Sequence, residues 1–330
     1  MNKNSTKSNY QSISHFTRNK GIPFDASLFE EIKINRSAIE RRAATLSGRR
    51  SVKKEWQAAW LLKAISCIDL TTLAGDDTSG NVHRLCAKAK SPVRSDVLEY
   101  LGMEDENIQI AAVCVYHNLI EHAVKGLKGT SIPIAAVSTG FPAGNIPLKE
   151  KIKQIELSVK AGAKEIDIVV SRDLVLQSDL KGLYNEVAAC RKACGEAHMK
   201  TILATGEIPT YTKVAKASWV SMMAGSDFIK TSTGKESVNA TIAVSLVMIR
   251  AIRDYYELTN YKVGFKPAGG ISKAKQAVNW LILIKEELGN DWLTPDLFRF
   301  GASSLLGDIE RQLEHFVTGR YSAAFRHPMA

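Results

Sequence analysis

Phe228-Ile229-Lys230-Thr231-Ser232-Thr233-Gly234-Lys235 decides how the rest of the chain is read: an apolar, β-type run ends on a lysine, and a Ser/Thr/Gly/Lys loop follows at once. Further on, Val263-Gly264-Phe265-Lys266-Pro267-Ala268-Gly269-Gly270 repeats the layout, with a second lysine ending a strand-like run and glycines opening the next helix. A protonated lysine is no nucleophile, and apolar burial or a neighbouring cation is what lowers its pKa enough for Schiff-base chemistry. A single strand-end lysine is ordinarily a solvated rim residue. Two strand ends of one design suggest a nucleophile and its activator.

Outward from these segments the chain alternates short β-branched runs with longer amphipathic ones, the pattern of successive βα units on a parallel sheet. Eight strands are expected, at 65–73, 108–116, 132–142, 165–170, 201–207, 227–233, 263–270 and 297–303. Between them 148–161, 179–193, 238–256 and 273–288 carry apolar residues near the 3.6 period of a helix. Eight units over roughly 250 residues predict an α/β fold of the (β/α)8 or TIM-barrel type, whereas a doubly wound sheet needs fewer strands or a switch point. The organisation expected is a disordered polar tail (1–24), a helical N-terminal extension (25–62), the barrel (63–320) and a short C-terminal tail (321–330). In the extension, 53–64 reads as an amphipathic helix with Trp56 and Trp60, expected beneath the barrel.

The formal charge of +10 on 330 residues is concentrated early, in Lys3, Lys7, Arg18, Lys20, Lys33, Arg36, Arg41, Arg42, Arg49, Arg50, Lys53 and Lys54. Solvated surface is the preferred reading of this run over an added role in binding RNA or a scaffold partner. The first residues lack the apolar core of a secretory signal and an amphipathic, Arg-rich transit helix. No apolar run approaches the roughly 18 residues of a membrane span. Cys67, Cys86, Cys114, Cys190 and Cys194 form no CxxC pair, so reduced thiols in a cytoplasmic protein without a structural metal are expected.

Chemistry in such barrels gathers at the C-terminal ends of strands. Asp69, Cys114 and Asp167 each interrupt an apolar run there. A buried aspartate needs a cation or donors, which Lys230 and Lys266 can supply; the bland alternative is a structural carboxylate for the aspartates and simple packing for Cys114. After strands six, seven and eight come Thr233-Gly234-Lys235, Gly269-Gly270-Ile271-Ser272 and Gly301-Ala302-Ser303-Ser304. Glycine admits close approach of an anion and helix N-termini offer free N–H groups, so these loops read as a phosphate site, with Ser303 and Ser304 otherwise simple helix caps.

With these segments in hand, together with Ile68-Asp-Leu-Thr-Thr-Leu73, Glu165-Ile-Asp-Ile-Val169, Lys200-Thr-Ile-Leu-Ala-Thr-Gly-Glu207 and Arg299-Phe-Gly-Ala-Ser-Ser304, the chain from about Lys53 to Tyr321 resembles the deoxyribose-phosphate aldolase family in its longer, animal form. The resemblance implies a class I aldolase, needing neither metal nor cofactor, that reversibly splits 2-deoxy-D-ribose 5-phosphate into acetaldehyde and D-glyceraldehyde 3-phosphate. It implies Lys230 as the imine lysine, Lys266 as the pKa-lowering cation and Asp167 as its partner in proton transfer. Asp69, Cys114, Lys200, Thr233 and Lys235 match lining positions, and Gly234, Gly269, Gly270, Ser303 and Ser304 the phosphate cradle. Lys200 is read as beginning its strand. A homo-oligomer is compatible with the family. Many relatives end in tyrosine, while this chain ends in alanine with Tyr321 and Phe325 as the tail's aromatics. The residues alone also leave open a transaldolase or a sugar-bisphosphate aldolase, which a substrate panel separates.

Overall fold

The computed structural model describes residues 18–328. Eight strands, all parallel to their neighbours, follow in chain order: β1 (Ile68–Thr71), β2 (Ala112–Val115), β3 (Ile134–Ser138), β4 (Glu165–Val169), β5 (His198–Ile202), β6 (Phe228–Lys230), β7 (Gly264–Lys266) and β8 (Phe300–Ala302). The sheet runs β7-β6-β5-β4-β3-β2-β1-β8. Its two ends meet through parallel bridges Phe265–Phe298 and Ala268–Gly301, with Phe265 N–H donating to Leu297 at 2.9 Å and Arg299 N–H to Phe265 at 3.1 Å, so the barrel closes. Helices between the strands cover the outside. That leaves both faces of each strand buried, which is why the strands read as nearly unbroken apolar runs.

Strands are shorter than their apolar runs and helix starts are set by caps. The helix expected from residue 238 spans Ile242–Thr259, because the Thr241 hydroxyl accepts from the N–H of Val244 and Asn260, at φ 59°, ends it in the left-handed region. Strand five begins three residues earlier than the apolar pattern indicated, at His198, and takes Lys200 into its middle.

The N-terminal boundary also moves. Residues 1–17 of the expected tail lie outside the described residues, but Arg18–Ile22 are built into the fold at the N-terminal ends of β5 and β6. The Arg18 guanidinium bonds both oxygens of Asp227 at 3.0 and 3.1 Å. Asn19 is 4% exposed and donates to the carbonyls of Met222 and Ser226 at 2.8 and 2.9 Å. Gly21, at φ +73°, lies so close to Met223 that a Cβ would stand 2.5 Å from its carbonyl oxygen. Apolar content suggested disorder here; the polar side chains instead offset their ordering entropy by completing buried backbone hydrogen bonds.

Two helices follow, Arg36–Arg49 and Lys54–Ile65. The second buries Ala58, Leu61, Leu62 and Ile65 and packs against the helices Ala274–Leu288 and Leu305–Thr318 that follow β7 and β8, leaving Trp56 exposed. Its contacts are therefore with the outer helical wall. Three of the early arginines are engaged nearby: Arg42, Arg49 and Arg50 all bond Glu286, and Arg42 also bonds Glu287, which Arg250 shares. The C-terminal tail lies along Leu305–Thr318, with His327 buried against Glu314 at 2.6 Å and Tyr321 stacked on His315 but open to solvent. All five cysteines are buried and unpaired. Among the described residues no helix is long and apolar enough to cross a membrane.

Candidate active site

Side chains alternate across a strand, so every second residue of each strand faces the lumen. Asp69 from β1, Asp167 from β4, Lys200 from β5, Lys230 from β6 and Lys266 from β7 meet there, none more than 3% exposed. Lys230 Nζ donates to Asp167 Oδ2 at 2.8 Å, and Lys266 Nζ donates to the same oxygen at 2.7 Å and to Asp69 Oδ2 at 2.5 Å. Lys200 donates to Asp167 Oδ1 at 3.2 Å and bonds Glu165. Far from beginning its strand, Lys200 pairs in register with Asp167 and Phe228, in the heart of the network.

The three lysines do not share one fate. Burial works against the charge of each, but at Lys266 the carboxylates of Asp167 and Asp69 outweigh it and hold the ammonium well above the ordinary lysine range. At Lys200 Asp167, Glu165 and Asp69 do the same. At Lys230 burial prevails: it is opposed chiefly by Asp167, reinforced by Lys266, and the pKa falls below the ordinary value. Burial would raise Asp167, yet Lys200, Lys230 and Lys266 hold its carboxyl far below the usual carboxylate range. Lys230 is thus the nucleophile candidate of the three, and desolvation contributes more than the cationic neighbour to making it so.

Cys114 faces the other side of the lumen, where it packs with Ala112, Ala135 and Val137 under Leu73, Tyr116 and Phe141. Burial pushes its thiol up to about 11, so it is a small apolar filler at neutral pH.

Above the lumen opens a cleft of about 440 Å³ lined by Lys230, Thr233, Gly234, Lys235, Gly269, Gly270, Ser303 and Ser304 among others. The candidate lysine and the expected phosphate loops therefore share one space. Gly269 and Gly270 stand at φ +82° and +77°, where a side chain is strained, and a Cβ on Gly269 would strike Asn239 at 2.5 Å. One element of the cradle is already engaged: the N–H groups of Thr233 and Gly234 donate to the carboxylate of Glu236 at 3.0 to 3.1 Å. Gly234 consequently lines the cleft without a free N–H to offer.

Glu165 and Arg299 are the lumen residues that motif reading missed. Glu165 lies two residues before Asp167 and so must share its face, a signal present in the sequence; Arg299 is 5% exposed and bonds both Glu165 and Asp69. Gly301 leaves room for this network, since a Cβ there would press on Ala268 at 2.7 Å and on Lys266 Cε at 3.2 Å.

A closed parallel barrel with a buried lysine of lowered pKa under a cleft bounded by glycine loops has the form of the Schiff-base aldolases. Residues 63–294 match the family model described as DeoC/LacD family aldolase, and the chain belongs to that family. It is 61% identical over 313 residues to a mouse protein named deoxyribose-phosphate aldolase, covering 94% of this chain and 98% of the relative. A human protein of the same name is 59% identical over 314 residues, covering 94% and 99%. Among solved structures, a Toxoplasma gondii protein superposes with a TM-score of 0.68 at 20% identity, covering 81% of this chain and 98% of that one. A deoxyribose phosphate aldolase from Aeropyrum pernix, described as tetrameric, gives 0.54 at 21%, covering 85% and 99%. At such identities the structures speak for the fold alone.

Proposed function

We propose that the chain is a class I aldolase that reversibly cleaves 2-deoxy-D-ribose 5-phosphate to acetaldehyde and D-glyceraldehyde 3-phosphate, acting in deoxyribose phosphate catabolism. The observation that carries the reading is that, of the three lumen lysines, Lys230 alone is held below its ordinary pKa, and it opens into the cleft bounded by the phosphate-type loops.

In this mechanism the neutral Nζ of Lys230 adds to the aldehyde carbon of the open-chain sugar and loses water to give a protonated imine. That imine draws in the electron pair of the C2–C3 bond as the C3 hydroxyl gives up its proton, leaving glyceraldehyde phosphate and an enamine. The enamine carbon is then protonated and the imine hydrolysed to acetaldehyde. Asp167 and Lys266 are the proton-transfer pair. Lys266 is already an ammonium, so the Asp167 carboxylate takes the hydroxyl proton through a water and returns it to the enamine carbon; three neighbouring cations make it a weak base that gives the proton up again readily. Asp69, which accepts from Lys266 at 2.5 Å, holds the pair in place. The ester phosphate lies between the loops after β7 and β8, at Gly269, Gly270, Ser303 and Ser304, with Lys235 and Thr233 closing the side. The steps call for no metal and no cofactor.

Release of acetaldehyde from 2-deoxyribose 5-phosphate tests the activity, and borohydride reduction followed by mass spectrometry tests the nucleophile. An adduct confined to Lys266 or Lys200, with Lys230→Ala still active, overturns the assignment. For the cradle, Gly270→Val should raise KM for the phosphate ester roughly tenfold while barely changing turnover of unphosphorylated deoxyribose; equal losses for both would rule the cradle out. We further infer a cytoplasmic protein, from five buried reduced thiols, and an assembly of identical copies, which light scattering decides. RNA binding through the early arginines draws no support from Arg42, Arg49 and Arg50, which are engaged by Glu286.

A further inference from the structure

Two buried charged side chains take no part in the chemistry above. Glu165, the first residue of β4, is 4% exposed, and Arg299, just before β8, is 5% exposed. The Arg299 guanidinium donates to Glu165 Oε1 at 2.8 Å, to Glu165 Oε2 at 3.2 Å and to Asp69 Oδ1 at 2.5 Å. Glu165 Oε2 also accepts from Lys200, whose ammonium stands 3.2 Å from Asp167 Oδ1 and 3.5 Å from Asp69 Oδ2. Lys266 takes Asp69 Oδ2 and shares Asp167 Oδ2 with Lys230. Every carboxylate oxygen of the lumen is thereby assigned. Three carboxylates, Asp69, Glu165 and Asp167, serve four bases, Lys200, Lys230, Lys266 and Arg299. Each of the other bases touches two carboxylates or more, whereas Lys230 touches only Asp167 and shares the oxygen it touches.

We propose that Arg299 and Glu165 are positioning residues that allocate the lumen's carboxylates, so that Lys230 is the amine left without a carboxylate of its own. This rests on Lys230 being the imine lysine. While Arg299 holds one oxygen of Asp69, Lys266 has only the other and must also lean on Asp167. Remove Arg299, and Asp69 turns wholly to Lys266, which releases Asp167 to Lys230 and favours its ammonium form. Glu165 acts in the opposite sense. It keeps Lys200 occupied below, and without it Lys200 leans harder on Asp167 and weakens the partner of Lys230. In so dry a site an ion deprived of its counter-ion is costly, and a change in the lower tier must be felt at the upper end.

Borohydride trapping of acetaldehyde on the full-length protein, followed against pH, reads the protonation of Lys230 directly. Arg299→Gln should move the trapping midpoint up by about one unit and Glu165→Gln should move it down, the range a single nearby charge commands. The double variant removes one cation and one carboxylate together and should return close to wild type, as should Arg299→Lys, which keeps the charge. Circular dichroism melts establish which variants are folded; if Arg299→Gln is not, Glu165→Gln and the double variant carry the test. Folded variants that all trap with the wild-type midpoint would reduce Arg299 and Glu165 to structural ions and overturn the proposal. A wild-type protein with no adduct on Lys230 would fell the nucleophile assignment itself, and the allocation scheme with it.

Discussion

The barrel lumen is two regions in one cylinder. Strands β2 and β3 face it with Ala112, Cys114, Ala135 and Val137, an apolar sector held by packing alone. The remaining strands and the residue before β8 face it with Asp69, Glu165, Asp167, Lys200, Lys230, Lys266 and Arg299, equally buried and held by mutual compensation. Apolar burial stabilises each residue of the first sector independently, at about 25 cal/mol per Å². In the second sector no residue is stable alone, because a buried ion costs several kcal/mol unless partners offset it. The charged sector is therefore cooperative and tunable, and it lowers the pKa of one lysine while raising those of the other two.

The sharpest break between the regions is at the nucleophile. Lys230→Leu should abolish borohydride trapping and lower turnover by roughly a thousandfold or more, the scale expected when a covalent route is lost, measured as acetaldehyde release. Next comes Lys266→Leu. Removing this cation should raise the pKa of Lys230 and slow imine formation roughly tenfold to a hundredfold at neutral pH, with partial recovery in alkali where Lys230 deprotonates anyway. Lys266→Arg keeps the charge but not the readily exchanged proton, so trapping should survive better than full turnover. Wild-type trapping profiles in both variants would leave desolvation as the only cause of the depressed pKa.

Stability should separate the regions by pH. Burial would raise the carboxyls of Asp69, Glu165 and Asp167, but their cationic partners win, and all three lie below their ordinary values. The unfolded chain then binds more protons as pH falls through about 4, so the stability these groups contribute is present above that value and lost progressively below it. Urea melts should show a loss of about 2 kcal/mol or more between pH 5 and pH 3. The smallest effect belongs to the apolar sector: Cys114→Ala should cost about 1 kcal/mol through lost packing, by the same amount at both pH values, and leave turnover within about twofold. A pH-dependent cost at Cys114, or a pH-independent one for the whole protein, would erase the distinction between the sectors.

Local signals made the barrel legible. The short β-branched apolar runs, the helical periods between them and the two Lys-terminated strands with their Gly-rich loops lie in contiguous residues, and they led to Lys230, Lys266, Asp167 and the cleft. What escaped notice was charge whose meaning depends on a distant partner. Lys200 is matched to the site's lining but placed at the start of its strand, because Glu165 and Asp167, which neutralise it inside the barrel, sit a full βα unit away. Arg299, inside the eighth apolar run, is given no role, and Arg18 and Asn19 are read as part of a disordered tail, for the same reason. Glu236 was legible in principle, three residues from Thr233, yet only the turn of the loop brings its carboxylate onto the N–H groups of Thr233 and Gly234.

The sequence by itself determined the barrel, its strand count and the chemical class, because periodicity and strand-end motifs are encoded within a few residues and eight βα units without a switch point exclude a doubly wound sheet. That burial wins over the carboxylates at Lys230 and loses to them at Lys200 and Lys266 was decided only by the tertiary structure. That choice depends on how many carboxylate oxygens each ammonium can reach across a closed lumen, a quantity that exists only once strands from opposite sides of the barrel have met.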